Sequence, residues 1–322
     1  MKQMLMSKGA RIIVEVCAGV KPGEKAVVVT EPVMMDMAEA IAAAVSAAGA
    51  EPVITVMPPR KSDGQEPPTA VAAAMKASDV FFNVVNKSIT HTQATRDAAA
   101  GGSRGIMMTQ FNEGMLMHGG VFADFANIAP QCKAVAEAMA NSKLITVTTP
   151  LGTHVTLSAE GRRGNALTCI TSPGHFTTVP TIEANVSPVE GTAEGIIIAD
   201  ASIPYIGIGL LEEPIRCTVE KGFITKVEGG KQAKMLIDDW ASKNDPNVYN
   251  IAELGIGLNP ECSFIGAMLE DEGVYGSIHF GIGTNITLGG HTKAACHYDL
   301  ILTNATVVAD GKVVLKDGKV AL

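Results

Sequence analysis

The first 142 residues alternate short apolar runs with helical segments, and this alternation narrows the fold more than any other feature of the chain. Residues 26–30 (AVVVT), 52–57 (PVITVM), 79–85 (DVFFNVV) and 105–109 (GIMMT) are of strand length, each followed by a stretch of helical character. Runs that are apolar throughout suit strands covered on both faces, the condition of a parallel sheet packed between helices. The stretch 34–48 is rich in Ala and Met and stops at Gly49, a residue well suited to the left-handed position that ends a helix. Residues 124–141 carry Ile128, Cys132, Val135 and Met139 at spacings of 4, 3 and 4. That spacing makes one apolar stripe for a sheet to receive.

After Ser142 the pattern changes. Residues 144–158 alternate around Pro150-Leu151-Gly152 and read as a hairpin. Strand-like segments follow at 193–199, 215–219, 223–228, 276–282 and 298–308, interrupted by one helix at 231–243. Asp-Gly pairs near the C-terminus mark tight turns. The expected architecture is therefore an α/β domain with a parallel sheet over 1–142, then a β-rich α+β domain over 143–322.

Composition removes several function classes. The formal charge is −8 and no basic run appears, which argues against nucleic acid, since phosphate recognition needs clustered Lys and Arg. Aromatics are only 4%, too few for a base-stacking platform. Arg11 and Glu15 break any leader-like apolar core near the start. The most apolar window, 195–211, contains Asp200 and Pro204, so it reads as buried strands and not as a membrane span. Six cysteines at irregular spacings lack a CxxC, and they read as reduced, mostly buried thiols of a cytoplasmic protein.

The strongest local signal is Cys296-His297-Tyr298-Asp299-Leu300. On a strand, His297 and Asp299 share one face while Tyr298 takes the other. An imidazole and a carboxylate so placed are either a hydrogen-bonded pair or two metal ligands. Three other segments lean toward the second. His279 sits in GSIHFGIGTN, Glu253 in NIAELGIGLNP, and Glu183 in PTIEANVSP, each in an apolar run, with glycines close to His279 and Glu253. A carboxylate inside an apolar run must be paired, protonated or metal-bound. Two histidines and three carboxylates could hold one or two divalent cations.

The order E-A-N-V-S-P, A-E-L-G-I-G-L-N-P, I-H-F-G-I-G and H-Y-D resembles the C-terminal half of the thermophilic aminopeptidase T/S family. It also resembles the related 2,5-dihydroxypyridine 5,6-dioxygenases. The first resemblance implies two metals (Zn, Mn or Co) on Glu183, Glu253, His279, His297 and Asp299, and a homodimer. It also implies hydrolysis of a small, peptide-like or cyclic amide, with Glu183 relaying the proton. One departure stands out, because no tyrosine follows His279 in GIGTNITLGG, where those peptidases carry one. The second resemblance implies one Fe(II) on two histidines and an aspartate, with His297 and Asp299 supplying two ligands and Glu253 in place of the third unless His279 serves. The hydrolase is the leading expectation and the ring-cleaving dioxygenase the alternative. A metal-stabilised binding protein without turnover is the third reading. Under either enzyme reading the partner is a small-molecule substrate.

Further residues are weighed by position. His91 follows an apolar strand at a helix start, where α/β folds bind ligands, and His175 lies in the loop SPGHF. Each is a candidate for substrate contact or acid–base work, against the plainer reading of an ordinary loop residue. Arg162 and Arg163 could clamp a carboxylate or simply form a solvated turn, and His291 could orient a ligand. His118 and His154 look incidental.

Overall fold

A computed structural model describes residues 1–322. The N-terminal apolar runs form a five-stranded parallel sheet in the order Glu51–Val56, Lys25–Thr30, Val80–Val85, Arg104–Thr109, Phe176–Thr178. Val80–Val85 and Arg104–Thr109 are buried at every position, as runs without alternation require. Val27, Val29, Phe81, Val85 and Met107 pack with Met57, Met75 and Ile89 into one apolar cluster. The helix Met35–Ala47 ends where Gly49 takes a φ of +82°. A helix Lys2–Arg11 that runs on into a π-helical turn, Ile12–Cys17, was not anticipated.

The remaining chain forms antiparallel sheets. An eight-stranded sheet contains the expected hairpin, Ile145–Thr148 with His154–Leu157, together with Glu194–Ala199, Ile215–Glu220 and Phe223–Glu228. A seven-stranded sheet runs Gly209–Leu210, Ser202–Ile203, His297–Leu302, Ile278–Gly283, Ile251–Gly257, Glu183–Val186, Gly164–Leu167. The helix expected at 231–243 is present as Lys231–Ser242. The fold is thus an α/β part with a parallel sheet followed by a β-rich part.

Two expectations need correcting. The single strand expected over 298–308 is two strands in two sheets, His297–Leu302 and Thr306–Ala309. Between them Asn304 adopts a φ of +54°, and Asp200 accepts from both the backbone N (2.8 Å) and the hydroxyl (2.7 Å) of Thr303. These bonds reward a turn over continued pairing. The chain also crosses between its two compact units three times, where one crossing near 142 was expected. One unit comprises Met1–Ala126 and Leu167–Pro180, the other Asn127–Ala166 and Thr181–Leu322. The apolar stripe on the helix Phe125–Met139 does not say which sheet receives it. The strand Phe176–Thr178 is too short and polar to read as a sheet member. No helix is long and apolar enough to cross a membrane. All six cysteines are free thiols and five are buried.

Candidate metal centre

Four adjacent strands of the seven-stranded sheet bring five ionisable side chains together. In antiparallel pairs, residues directly opposite one another project from the same face. The register sets His279 opposite Gly255, Asp299 opposite Gly281, His297 opposite Gly283, Glu183 opposite Gly257, and Glu253 also opposite Gly281. Every one of the five therefore faces a glycine across the strand. The alternate positions Leu254, Ile256, Ile278, Phe280, Ile282, Leu300 and Leu302 form the apolar face of the same strands and are fully buried. A Cβ on Gly255 would lie 2.0 Å from His279 Nε2, and one on Gly281 2.6 Å from His297 Nε2 and 2.7 Å from Glu253 Cβ. The GIG repeats clear the floor on which the imidazoles lie.

Glu253 joins the two halves of the cluster. His297 Nε2 is 3.0 Å from its Oε2 and His279 Nε2 is 3.8 Å from its Oε1. His279 Nε2 also lies 3.4 Å from Glu183 Oε2, and His297 Nε2 lies 3.4 Å from Asp299 Oδ1. His297 Nδ1 is 2.7 Å from the Thr284 carbonyl. The carbonyl can only accept, so Nδ1 carries the proton and Nε2 is turned to the carboxylates. Asn185 donates to Glu183 Oε1 at 2.8 Å, and Asn165 donates in turn to Asn185 at 2.8 Å.

Three buried polar atoms in the cluster have no hydrogen-bond partner: Glu183 Oε2, Asp299 Oδ1 and His279 Nδ1. Two of these are carboxylate oxygens directed at imidazole nitrogens, and such oxygens are costly to bury unsatisfied. Two groups of three donors each have their ligand atoms within 4.8 Å of one another, Glu183/Glu253/His279 and Glu253/His297/Asp299. An oxygen-rich, imidazole-containing set of this kind suits a divalent cation. Only His297 retains appreciable exposure, 25% of its side chain. Access to the cluster is on its side.

The electrostatics of the metal-free protein follow from burial against mutual charge. Burial raises Glu183 to about 7, with the neighbouring carboxylates adding to the effect and His279 opposing it. Burial alone would lower His279, but Glu183 and Glu253 overcome it and raise the imidazole to about 9. Asp299 and Glu253 likewise hold His297 well above its ordinary value against burial. Despite burial, His297 keeps Asp299 low, and the two imidazoles keep Glu253 low. The cluster thus stores protons on its imidazoles where a cation would sit.

All five donors expected from the sequence meet on one sheet face. His91 and His175 are instead exposed residues of the first unit. His175 is tied to its own loop through Ser172 and the Pro173 carbonyl. Arg162 pairs with Glu190 and donates to the Gly289 carbonyl at 2.6 Å, so it braces loops. Arg163 and His291 are exposed, and His291 is held through its backbone N by Glu190 at 2.7 Å. Sequence reading missed Tyr205 and Glu272. The Tyr205 hydroxyl lies 2.5 Å from Asp299 Oδ2 and 3.0 Å from Glu272 Oε1. The signals were present, an aromatic in the turn-rich PYIGIG and a third acid in EDEG, but neither segment has a periodicity that points to the cluster.

The family model described as 2,5-dihydroxypyridine 5,6-dioxygenase matches residues 10–322. The chain belongs to this family. A 2,5-dihydroxypyridine 5,6-dioxygenase of Pseudomonas putida is 34% identical over 145 residues, which span 41% of this chain and 41% of that relative. The solved structure of a Pseudomonas putida dihydroxypyridine dioxygenase shares the fold at a TM-score of 0.85 and 20% identity, covering 98% of this chain and 96% of that one. Wild-type AmpT from Thermus thermophilus aligns over the full length of both chains at a TM-score of 0.70 and 16% identity. The leading expectation of an amide hydrolase is corrected by these matches, which favour the dioxygenase family in sequence and in fold. The hydrolase reading rested on Glu253, which stands where the dioxygenase resemblance implies a third ligand, and an extra carboxylate does not decide the chemistry.

Proposed function

We propose that this member of the dioxygenase family is a metal-dependent ring-cleaving dioxygenase acting on a dihydroxylated pyridine. The observation that carries the proposal is the family match over residues 10–322. The buried donor cluster agrees with it. His279, His297 and Asp299 make available the two imidazoles and one carboxylate of a non-haem Fe(II) site, and Glu253 stands between the two imidazoles. When bound, Fe(II) supplies the redox chemistry that lets dioxygen react with an electron-rich ring.

The protein's own contribution is orientation and charge. The Thr284 carbonyl fixes the His297 tautomer, and Asn185 fixes Glu183 through Oε1. Glu183 Oε2, with the carboxyl raised to about 7, is poised to hold or release a proton near neutral pH. The apolar face behind the donors keeps water off the back of the sheet. His91 and His175 enter as acid–base candidates on their sequence positions alone.

The test is anaerobic purification, elemental analysis, and oxygen uptake with 2,5-dihydroxypyridine after loading with Fe(II). Iron-dependent uptake that is lost in His297→Ala is the expected result. Metal bound normally by wild type but no oxygen consumed with any dihydroxypyridine would sink the reaction. Undiminished metal in His297→Ala would sink the ligand assignment.

A further inference from the structure

Glu272 and Tyr205 form a polar chain that ends on Asp299, a proposed ligand. We propose that Tyr205 is a positioning residue, whose phenol fixes Asp299 through Oδ2 and so leaves Oδ1 as the oxygen offered to the cation. The proposal rests on the ligand role of Asp299 put forward above.

The two oxygens of Asp299 are treated differently. Oδ2 takes the Tyr205 hydroxyl at 2.5 Å, whereas Oδ1 has no hydrogen-bond partner and lies 3.4 Å from His297 Nε2. A strand aspartate turns freely about its terminal torsion, and one strong hydrogen bond from outside the sheet removes that freedom. Tyr205 can act as the fixed end because it is itself held. Its ring stacks on Tyr298 with centroids 4.8 Å apart, and its hydroxyl also meets Glu272 Oε1 at 3.0 Å. Its backbone N donates to the Ile203 carbonyl at 2.8 Å, and its carbonyl accepts from Ile208 N at 2.9 Å.

The turn that follows gives a second, independent sign. Ile206 adopts a φ of +51° and Gly207 one of +80°. A glycine takes that conformation freely, but a β-branched residue does so only under constraint. Such strain collects where the surroundings over-determine a geometry. Here it reverses the chain directly after Tyr205, between the short strand Ser202–Ile203, which pairs with the His297–Leu302 strand, and Gly209–Leu210, which pairs with Ser202–Ile203 on its other side. The phenol reaches Asp299 from a rigid corner.

Tyr205→Phe keeps the stacked ring and removes only the hydroxyl. The experiment is a Co(II) titration of the metal-stripped full chain, following the visible ligand-field bands, with the melting temperature of the metal-free form recorded alongside. Wild type should bind Co(II), and Tyr205→Phe should bind it roughly 10- to 100-fold more weakly, the usual range for losing a partner of a ligand. Its bands should shift while the metal-free melting temperature stays close to that of wild type. Wild-type affinity and bands in the variant would overturn the positioning role and leave the ligand assignment standing. Failure of wild type itself to bind Co(II) would overturn the ligand assignment and this inference with it.

Discussion

Two sheets of this molecule have central strands buried at every position and put that burial to opposite uses. In the parallel sheet, Val80–Val85 and Arg104–Thr109 are buried at all positions, and Phe81, Phe82, Ile106 and Met107 fill the space on their two faces. In the antiparallel sheet, Ile251–Gly257 and Ile278–Gly283 are also buried throughout, but only one face is filled. The other carries Glu253 and His279 among Gly255, Gly257, Gly281 and Gly283. The first sheet shows how apolar side chains gain stability by filling space. The second shows that a sheet can give up filling on one face to hold charges that need a counter-ion.

The largest expected effect comes from filling that emptied face. Gly281→Ala places a methyl between Glu253 and His297, and Gly255→Ala places one against the His279 ring. Both should abolish stoichiometric metal binding, read by elemental analysis, and cost about 1–3 kcal/mol or more in denaturant unfolding as overpacking does. Normal metal content in either variant would mean that the glycines are not there to make room. The reverse change belongs to the other sheet. Phe81→Ala should cost about 3–5 kcal/mol of stability while the second unit, whose donors lie elsewhere, keeps its Co(II) affinity. A matching loss of affinity would erase the contrast between the two sheets.

A third effect separates them by pH. His279 is raised from 6.5 to about 9 and Glu183 from 4.5 to about 7. In each case the folded form binds more protons than the unfolded one between those values. The stability they contribute is present in full below the unfolded value and is lost as pH rises through the folded one. Asp299 and Glu253 are shifted down, so their contribution changes only in acid. The metal-free protein should therefore melt at falling temperature from about pH 6 to pH 9, and bound divalent metal should flatten or reverse that slope. Metal affinity should itself rise with pH over the same range, because the imidazoles must lose their protons to ligate. A pH-independent melting temperature in the stripped protein would show that the imidazoles are not held protonated. The smallest expected effect is at His291, whose replacement by Ala should leave metal binding and melting unchanged, since only its backbone is engaged.

The same contrast explains what was legible in the sequence. The parallel sheet announces itself because Val, Ile, Phe and Met must cluster wherever both faces are covered. The five donors were legible for a related reason, since an acid or a histidine in an apolar run has few plain explanations. The strands Ile251–Gly257 and Glu183–Val186 were harder to count, because glycine and asparagine are poor strand formers and their presence here serves the ligands. Tyr205 and Glu272 were not legible at all. They reach Asp299 from a turn and from just beyond the short helix Met268–Asp271, and no periodicity links a turn to a strand almost a hundred residues later. The choice between hydrolase and dioxygenase was misread for yet another reason, since Glu253 in place of a third histidine pointed to the hydrolase while the tyrosine missing after His279 pointed away from it.

The threefold crossing of the chain has a consequence for synthesis on the ribosome. Chains emerge from the N-terminus, and domains commonly fold as units once complete. Here the edge strand Phe176–Thr178 of the parallel sheet is made only after residues 127–166 of the other unit have already appeared. The helix Phe125–Met139 and the hairpin after it must then wait for Thr181–Leu322. The first unit cannot be completed before the second has begun, so nascent chains truncated within residues 127–166 should leave both cores unfinished and be held by chaperones.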